Sequence, residues 1–261
     1  MAISGALTGA VTSWAGTANT RLIDNVGGRP FRWAFSNEAD SFIARTMGGT
    51  GGATARPGVV SITGEIEGEL GTPVMGDFGS ITFASGYTTN PEGYDLTLSA
   101  PAGSYVAFGS GVRLHLPPSQ FDWGGSMRFF HDGTTPVVNT GAASAAATFM
   151  YQDLVTDNTL AGSIIATRLG VTAEQSGLPM VDYSFVGDGA LTQSTNAVGI
   201  FPDGVVAAPV TGSLVLTADT GQTFTFGAIW TGVTLTCRRG ETVRVRIAFA
   251  ASTLNTGTWI G

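Results

Sequence analysis

The sequence predicts an all-β protein with one short helix in each half. Three observations carry this. Runs of two-residue alternation recur along the chain. Turn-forming clusters separate them, among them Pro91-Glu92-Gly93 and Ala218-Asp219-Thr220-Gly221. Glycine is 38 of 261 residues, 43% are hydrophobic and only 12% are charged, about half the usual charged share of roughly 25%.

The elements follow in order. Ser36 to Met47 reads as the first helix, with Ser36 as its N-cap. Val60 to Leu70 then alternates, with Ile62, Ile66 and Leu70 on one face and Glu65, Glu67 and Glu69 on the other. Asp157 to Leu169 reads as the second helix, capped by Asp157. Tyr183 to Val186 and Leu214 to Thr217 are short runs of β-formers. Gln222 to Trp230 turns Phe224, Phe226 and Ala228 to one side. Glu241 to Phe249 turns Val243, Val245, Ile247 and Phe249 inward and Arg244 and Arg246 outward. Strands this frequent predict a sandwich or barrel.

Composition narrows the classes. Disorder needs low hydrophobicity and high charge density. A disulfide framework needs more than Cys237. No run of about 18 apolar residues offers a membrane helix, and the opening MAISGALTGAVTSW lacks the basic segment of a secretory signal. A net charge of −7 argues against tight nucleic-acid binding, which requires cations to release phosphate counterions. All twelve basic residues are arginine. So few charges leave little to block self-association.

Three segment pairs match in the same order. Ser41 to Gly48 matches Ser163 to Gly170, Val60 to Leu70 matches Val181 to Leu191, and Leu96 to Gly109 matches Leu214 to Gly227. A similar offset in all three predicts two tandem domains. The division expected is 1–133 and 149–261, with a small, polar linker over 134–148.

In each half a helix-like segment precedes an alternating strand, then a strand–turn–strand (LTLSAPAGSYVAF, LVLTADTGQTFTF), then a last alternating strand (GGSMRFFHDG, GETVRVRIAFAAS). This order resembles the tail tube proteins of long-tailed bacteriophages. The resemblance implies two tandem β-sandwich or barrel domains of the tail-tube type, each with a flanking helix and an extended hairpin. It implies a structural virion protein without catalytic residues or cofactors. Its partners would be copies of itself in stacked rings, other tail proteins such as the tape measure, tail terminator and distal tail protein, and viral DNA in non-specific passage. No membrane partner is implied. The place would be the virion tail, assembled in the host cytoplasm. Two domains per chain predict a ring of three chains with pseudo-six-fold symmetry.

Glu65, Glu67 and Glu69 on one strand face repel unless solvated or paired. They are expected to face water, a lumen or arginine, with Arg244 and Arg246 as the opposing candidates. A lumen rimmed by carboxylates would repel DNA phosphates.

Other chemistry finds weaker support. One strand is poor geometry for a metal cage or a glycosidase carboxylate pair. His115 and His131 come without a nucleophile elbow, and His131-Asp132-Gly133 reads as a turn. Cys237 precedes Arg238 and Arg239, which lower thiol pKa values, but a lone strand cysteine reads as a small core residue. The glycines at Met47 to Pro57, Phe108 to Val112 and Gly187 to Gly189 lack a phosphate-loop signature and read as loops or turns. Trp14, Trp33, Trp123, Trp230 and Trp259 are too scattered for a base-stacking platform. A capsid decoration protein and a secreted β-sandwich binding module or hydrolase are the alternative readings.

Overall fold

The computed structural model describes residues 10–14, 30–44, 54–69, 79–82, 88–89, 91–106, 111–131, 140, 144–152, 158–175, 177–194, 200–201, 204–219 and 222–253. These residues are strands and connections, with no helix among them. Most pair in one antiparallel sheet, and a small hairpin of β7 (Gly103–Val106) and β8 (Arg113–Leu116) stands apart.

The front of the large sheet holds eight strands. Four come in the order β2 (Pro30–Ala44), β3 (Thr54–Glu69), β16 (Arg244–Ala251) and the C-terminal half of β15 (Gln222–Arg238). The next four are β6 (Gly93–Ser99), β9 (Asp122–Phe130), β12 (Met180–Gln193) and the C-terminal half of β11 (Asn158–Thr172). The N-terminal half of β15 continues into a back layer, pairing with β14 (Gly212–Asp219), which pairs with β1 (Ala10–Trp14). The N-terminal half of β11 does the same with β10 (Ala145–Gln152), which pairs with β4 (Gly79–Thr82), followed by β5 (Thr88–Thr89). A short β13 (Gly204–Val205) extends β12.

The chain therefore contains one six-strand module twice, side by side, with four strands of each copy in the front. Its members correspond in chain order: β1, β2, β3, β14, β15 and β16 against β4, β6, β9, β10, β11 and β12. The register repeats residue for residue. Ile66 pairs with Trp33 and Ile247, as Met127 pairs with Tyr94 and Tyr183. Gly64 pairs with Phe35 and Phe249, as Gly125 pairs with Leu96 and Phe185. A register shift between Trp230 and Gly232 recurs between Ala166 and Arg168. Such a bulge bends a long strand where it passes from front to back layer. The second module is inserted whole between β3 and β14 of the first.

This corrects the expected domain plan. Residues 1–133 and 149–261 do not form separate sheets, because β3 pairs with β16, β6 with β15, β9 with β12 and β4 with β10. Ala145 to Thr148, assigned to the linker, belongs to β10. Nor do the matched segments occupy equivalent places. Val60 to Glu69 lies in β3, whereas its match from Val181 lies in β12, the counterpart of β16.

Both expected helices are strands over their described residues. In β11 Asn158, Leu160, Ile164 and Ala166 are buried at even positions, and β-branched Ile164, Ile165 and Thr167 fit a pleated surface. In β2 Trp33 and Phe35 are half-buried while Arg32, Ala34 and Ser36 are exposed. A capping residue supplies about 1 kcal/mol, less than long pairing with burial on one face.

The core fills the space between the layers. Phe249 meets Trp14 and Phe226 at ring-centroid distances of 6.3 and 5.7 Å. In the inserted module Phe149 of β10 meets Tyr94, Phe185 and Trp123 at 5.3, 5.3 and 6.4 Å. Gly64 has no room for a side chain: a Cβ there would meet the Phe249 ring and, at 2.5 Å, the Ala34 carbonyl oxygen. A Cβ on its counterpart Gly125 would meet the Asp95 carbonyl oxygen.

Candidate functional site

The outward side of the front sheet is polar and carries the candidate charges. Alternation on β3 places Glu65, Glu67 and Glu69 there, and antiparallel pairing sets Arg246 opposite Glu67 and Arg244 opposite Glu69. Arg246 donates through Nε to Glu65 Oε2 at 3.0 Å and also through Nη2, with Glu67 3.6 Å from its Nε. From the other side Arg32 Nη2 donates to Glu65 Oε1 at 2.6 Å, and its Nε lies 3.7 Å from Glu67. Hydrogen bonds from Arg246 and then Arg32 hold the Glu65 carboxyl below its ordinary range. Glu65 is thus a fixed anion and not a proton donor. Glu69 and Arg244 make no ion pair among the described residues.

Of the surroundings expected for these glutamates, arginine is the one found at Glu65 and Glu67: Arg246 stands on one flank, as named from the sequence, and Arg32 on the other. Sequence reasoning missed Arg32, whose signal was its place beside the apolar Trp33 and Phe35. It also missed the charges of the inserted module. Arg128 Nε donates to Asp182 Oδ1 at 2.7 Å, and this bond raises the Arg128 pKa. Arg128 and Asp182 are the counterparts of Glu67 and Arg246, so the same pair recurs with its charges exchanged. At the join between modules Arg238 Nη2 donates to Asp95 Oδ2 at 2.6 Å, and Arg239 lies 3.6 Å from Glu92.

The remaining candidates are scattered. His115 is half-buried on β8, opposite Ser104, and burial followed by Arg113 lowers its pKa. His131 follows β9, and its backbone N–H donates to the Pro179 carbonyl at 2.7 Å. The two histidines belong to different parts of the fold, one in the small hairpin and the other just past the end of β9. Cys237 faces the core opposite Tyr94, and burial pushes its thiol up to about 12. No three His, Cys, Asp or Glu side chains converge as a metal cage among the described residues. Gly187 to Gly189 is a bulged part of β12 and not a turn between strands: Gly189 has φ +84° and its carbonyl accepts from Trp123 Nε1 at 2.9 Å. Trp14, Trp123 and Trp230 are buried. Residues 47–53, 107–110 and Trp259 lie outside the described residues.

Among the described residues no strand pairs with the outer edge of β2, or with β11 beyond Ile164 on the side away from β12. The edge of β11 displays Val171 at 56% exposure. Its counterpart in the first module, Leu235, is 0% exposed because β6 pairs with it.

Compared with protein-family models, with characterised proteins and with solved structures, the chain matches none.

Proposed function

We propose that the chain is a structural virion protein, a tail tube subunit whose copies close into rings and stack around a channel for viral DNA. The observation that carries the reading is the side-by-side repetition of one module, four front strands in each copy, in a single sheet. Both modules present strands in the same alternating directions and polar side chains to the same face. Rotation about an axis along the tube relates such modules, so three chains would supply six around a ring.

The dimensions suit this role. Three eight-stranded fronts would close a barrel about 48 Å across, taking about 4.8 Å between strands and a tilt of about 40°. That leaves room for a DNA duplex after side chains. The channel would be lined by the polar face. Its paired acids and arginines offer no excess of cations to release phosphate counterions, so DNA would slide without sticking. The other partners in this reading are neighbouring tail proteins, and the place is the virion tail.

Electron microscopy of the concentrated protein tests the proposal. Stacked rings or tubes with an open centre are expected. Isolated trimers that bind only to capsids would move the assignment to a decoration protein, and sugar binding by a monomer would move it to a binding module.

A further inference from the structure

We propose that the β7–β8 hairpin is a pH-gated arm, docked on β3 and β16 while His115 is neutral and released when His115 takes a proton. The inference does not rest on the tube reading, and a single chain suffices to show it.

The hairpin is lightly held. As strands, β7 and β8 pair with each other and not with the large sheet. Among the described residues the hairpin is tied to that sheet by a parallel bridge between Val60 and Val112, where the Val60 N–H donates to the Gly111 carbonyl at 2.8 Å. An ion pair between Arg113 and Asp40 at 3.9 Å adds to it, but both side chains are exposed, so it contributes little. The rest is packing of β8 against β3 and β16. β7 is exposed along its whole length, whereas Leu114 and His115 of β8 are half-buried.

His115 is the member of this contact that can change its charge. Its Nε2 is enclosed and has no hydrogen-bond partner among the described residues. A neutral imidazole tolerates this with its proton on Nδ1, which leaves Nε2 a bare acceptor. The imidazolium carries a proton on both nitrogens. Protonation therefore puts an N–H donor where nothing accepts it, and a charge in a half-buried setting.

The surroundings do not offset that charge. His115 is paired with Ser104 across the hairpin, and Tyr105 is the titratable side chain of β7. On β8 itself the neighbour is cationic Arg113, which opposes a second positive charge. The stretches of β3 and β16 nearest the docking point, Gly58 to Gly64 and Ile247 to Ala251, have no ionisable side chain. Asp40 of β2 is engaged by Arg113. Burial, then Arg113, lowers the His115 pKa from its ordinary 6.5. The docked hairpin thus binds fewer protons than the released one. Docking is at full strength above 6.5 and weakens as pH falls below it. Release carries the exposed apolar side chains of Tyr105, Val106 and Leu116 away from the sheet and frees the Val60 N–H.

Hydrogen–deuterium exchange of the full chain, corrected for the intrinsic rate at each pH, tests the proposal. Between about pH 7.5 and about pH 5, the range in which histidine changes charge, the amides of β7, β8 and Val60 should lose protection. The loss should be about fivefold or more, the size expected when a buried donor is left unpaired, while β12 and β15 keep their protection. His115→Phe keeps an aromatic ring that does not titrate and should hold the hairpin docked at both pH values. His115→Gln is a second non-titrating variant in case the larger ring packs badly. His131→Phe should leave the response intact. Wild-type protection that stays constant across this range would overturn the proposal. So would an equal response in both His115 variants, its loss in His131→Phe, or an equal rise in exchange across the whole sheet.

Discussion

Leu235 and Val171 hold the same position in two copies of one module, yet Leu235 is fully buried and Val171 is exposed. The difference lies in what stands beside them. Leu235 has β6 as its neighbour, whereas among the described residues no strand pairs with the edge beside Val171. Substitutions at the two sites should therefore separate folding from assembly. Leu235→Ala is expected to cost about 2–5 kcal/mol of stability. Val171→Asp should leave stability within about 0.5 kcal/mol and abolish assembly. Urea unfolding and sedimentation read the two effects.

The Glu65 cluster sets an acid limit. A carboxyl held below its ordinary value stabilises the folded chain fully above that value, 4.5, and the contribution fades as pH falls through the lowered one. Because the cluster is solvent-exposed, Glu65→Gln should cost less than about 1 kcal/mol at neutral pH. The loss should shrink in high salt and fade progressively as the pH is lowered below 4.5, as measured by thermal unfolding across pH.

Gly125 lies against the Asp95 carbonyl oxygen, with no space for a methyl group. Gly125→Ala should push β6 and β9 apart and destabilise the chain by roughly 1–3 kcal/mol. Gly103 is the control: no atom stands within 4 Å of where its methyl group would sit, and it should tolerate alanine. Chemical denaturation of both variants decides this.

Cys237, with its thiol pushed up to about 12 by burial, should resist alkylation in the folded chain at pH 8. It should react at an ordinary rate in denaturant. Mass spectrometry after timed iodoacetamide treatment gives the ratio, and rapid labelling of the folded chain would contradict the placement of β15.

The strand content and the outward arginines were legible in the sequence because β3 and β16 alternate cleanly. Arg246 could be named as a partner of the glutamates from parity alone. Arg32 could not, because its strand, Pro30–Ala44, runs into the segment from Ser36 that was read as a helix. The repeat was legible as a fact but not in its alignment. True counterparts lie 61 residues apart for Gly64 and Gly125, and 64 apart for Phe249 and Phe185. Inserting one module into the other reverses the sense of the displacement, so a search for one constant offset lands on unrelated strands. The identities that survive, such as Ile229 with Ile165, Thr236 with Thr172 and Val245 with Val181, are dispersed along long strands. The ion pairs were less legible still, since Glu67–Arg246 and Arg128–Asp182 preserve complementarity while exchanging the residue types.

The mass and rotational symmetry of the assembled full chain test the central claim most directly. Three copies around an open centre, with six similar modules in projection, are the expected result. A monomer at all concentrations, or a two-fold dimer with no central opening, would contradict it.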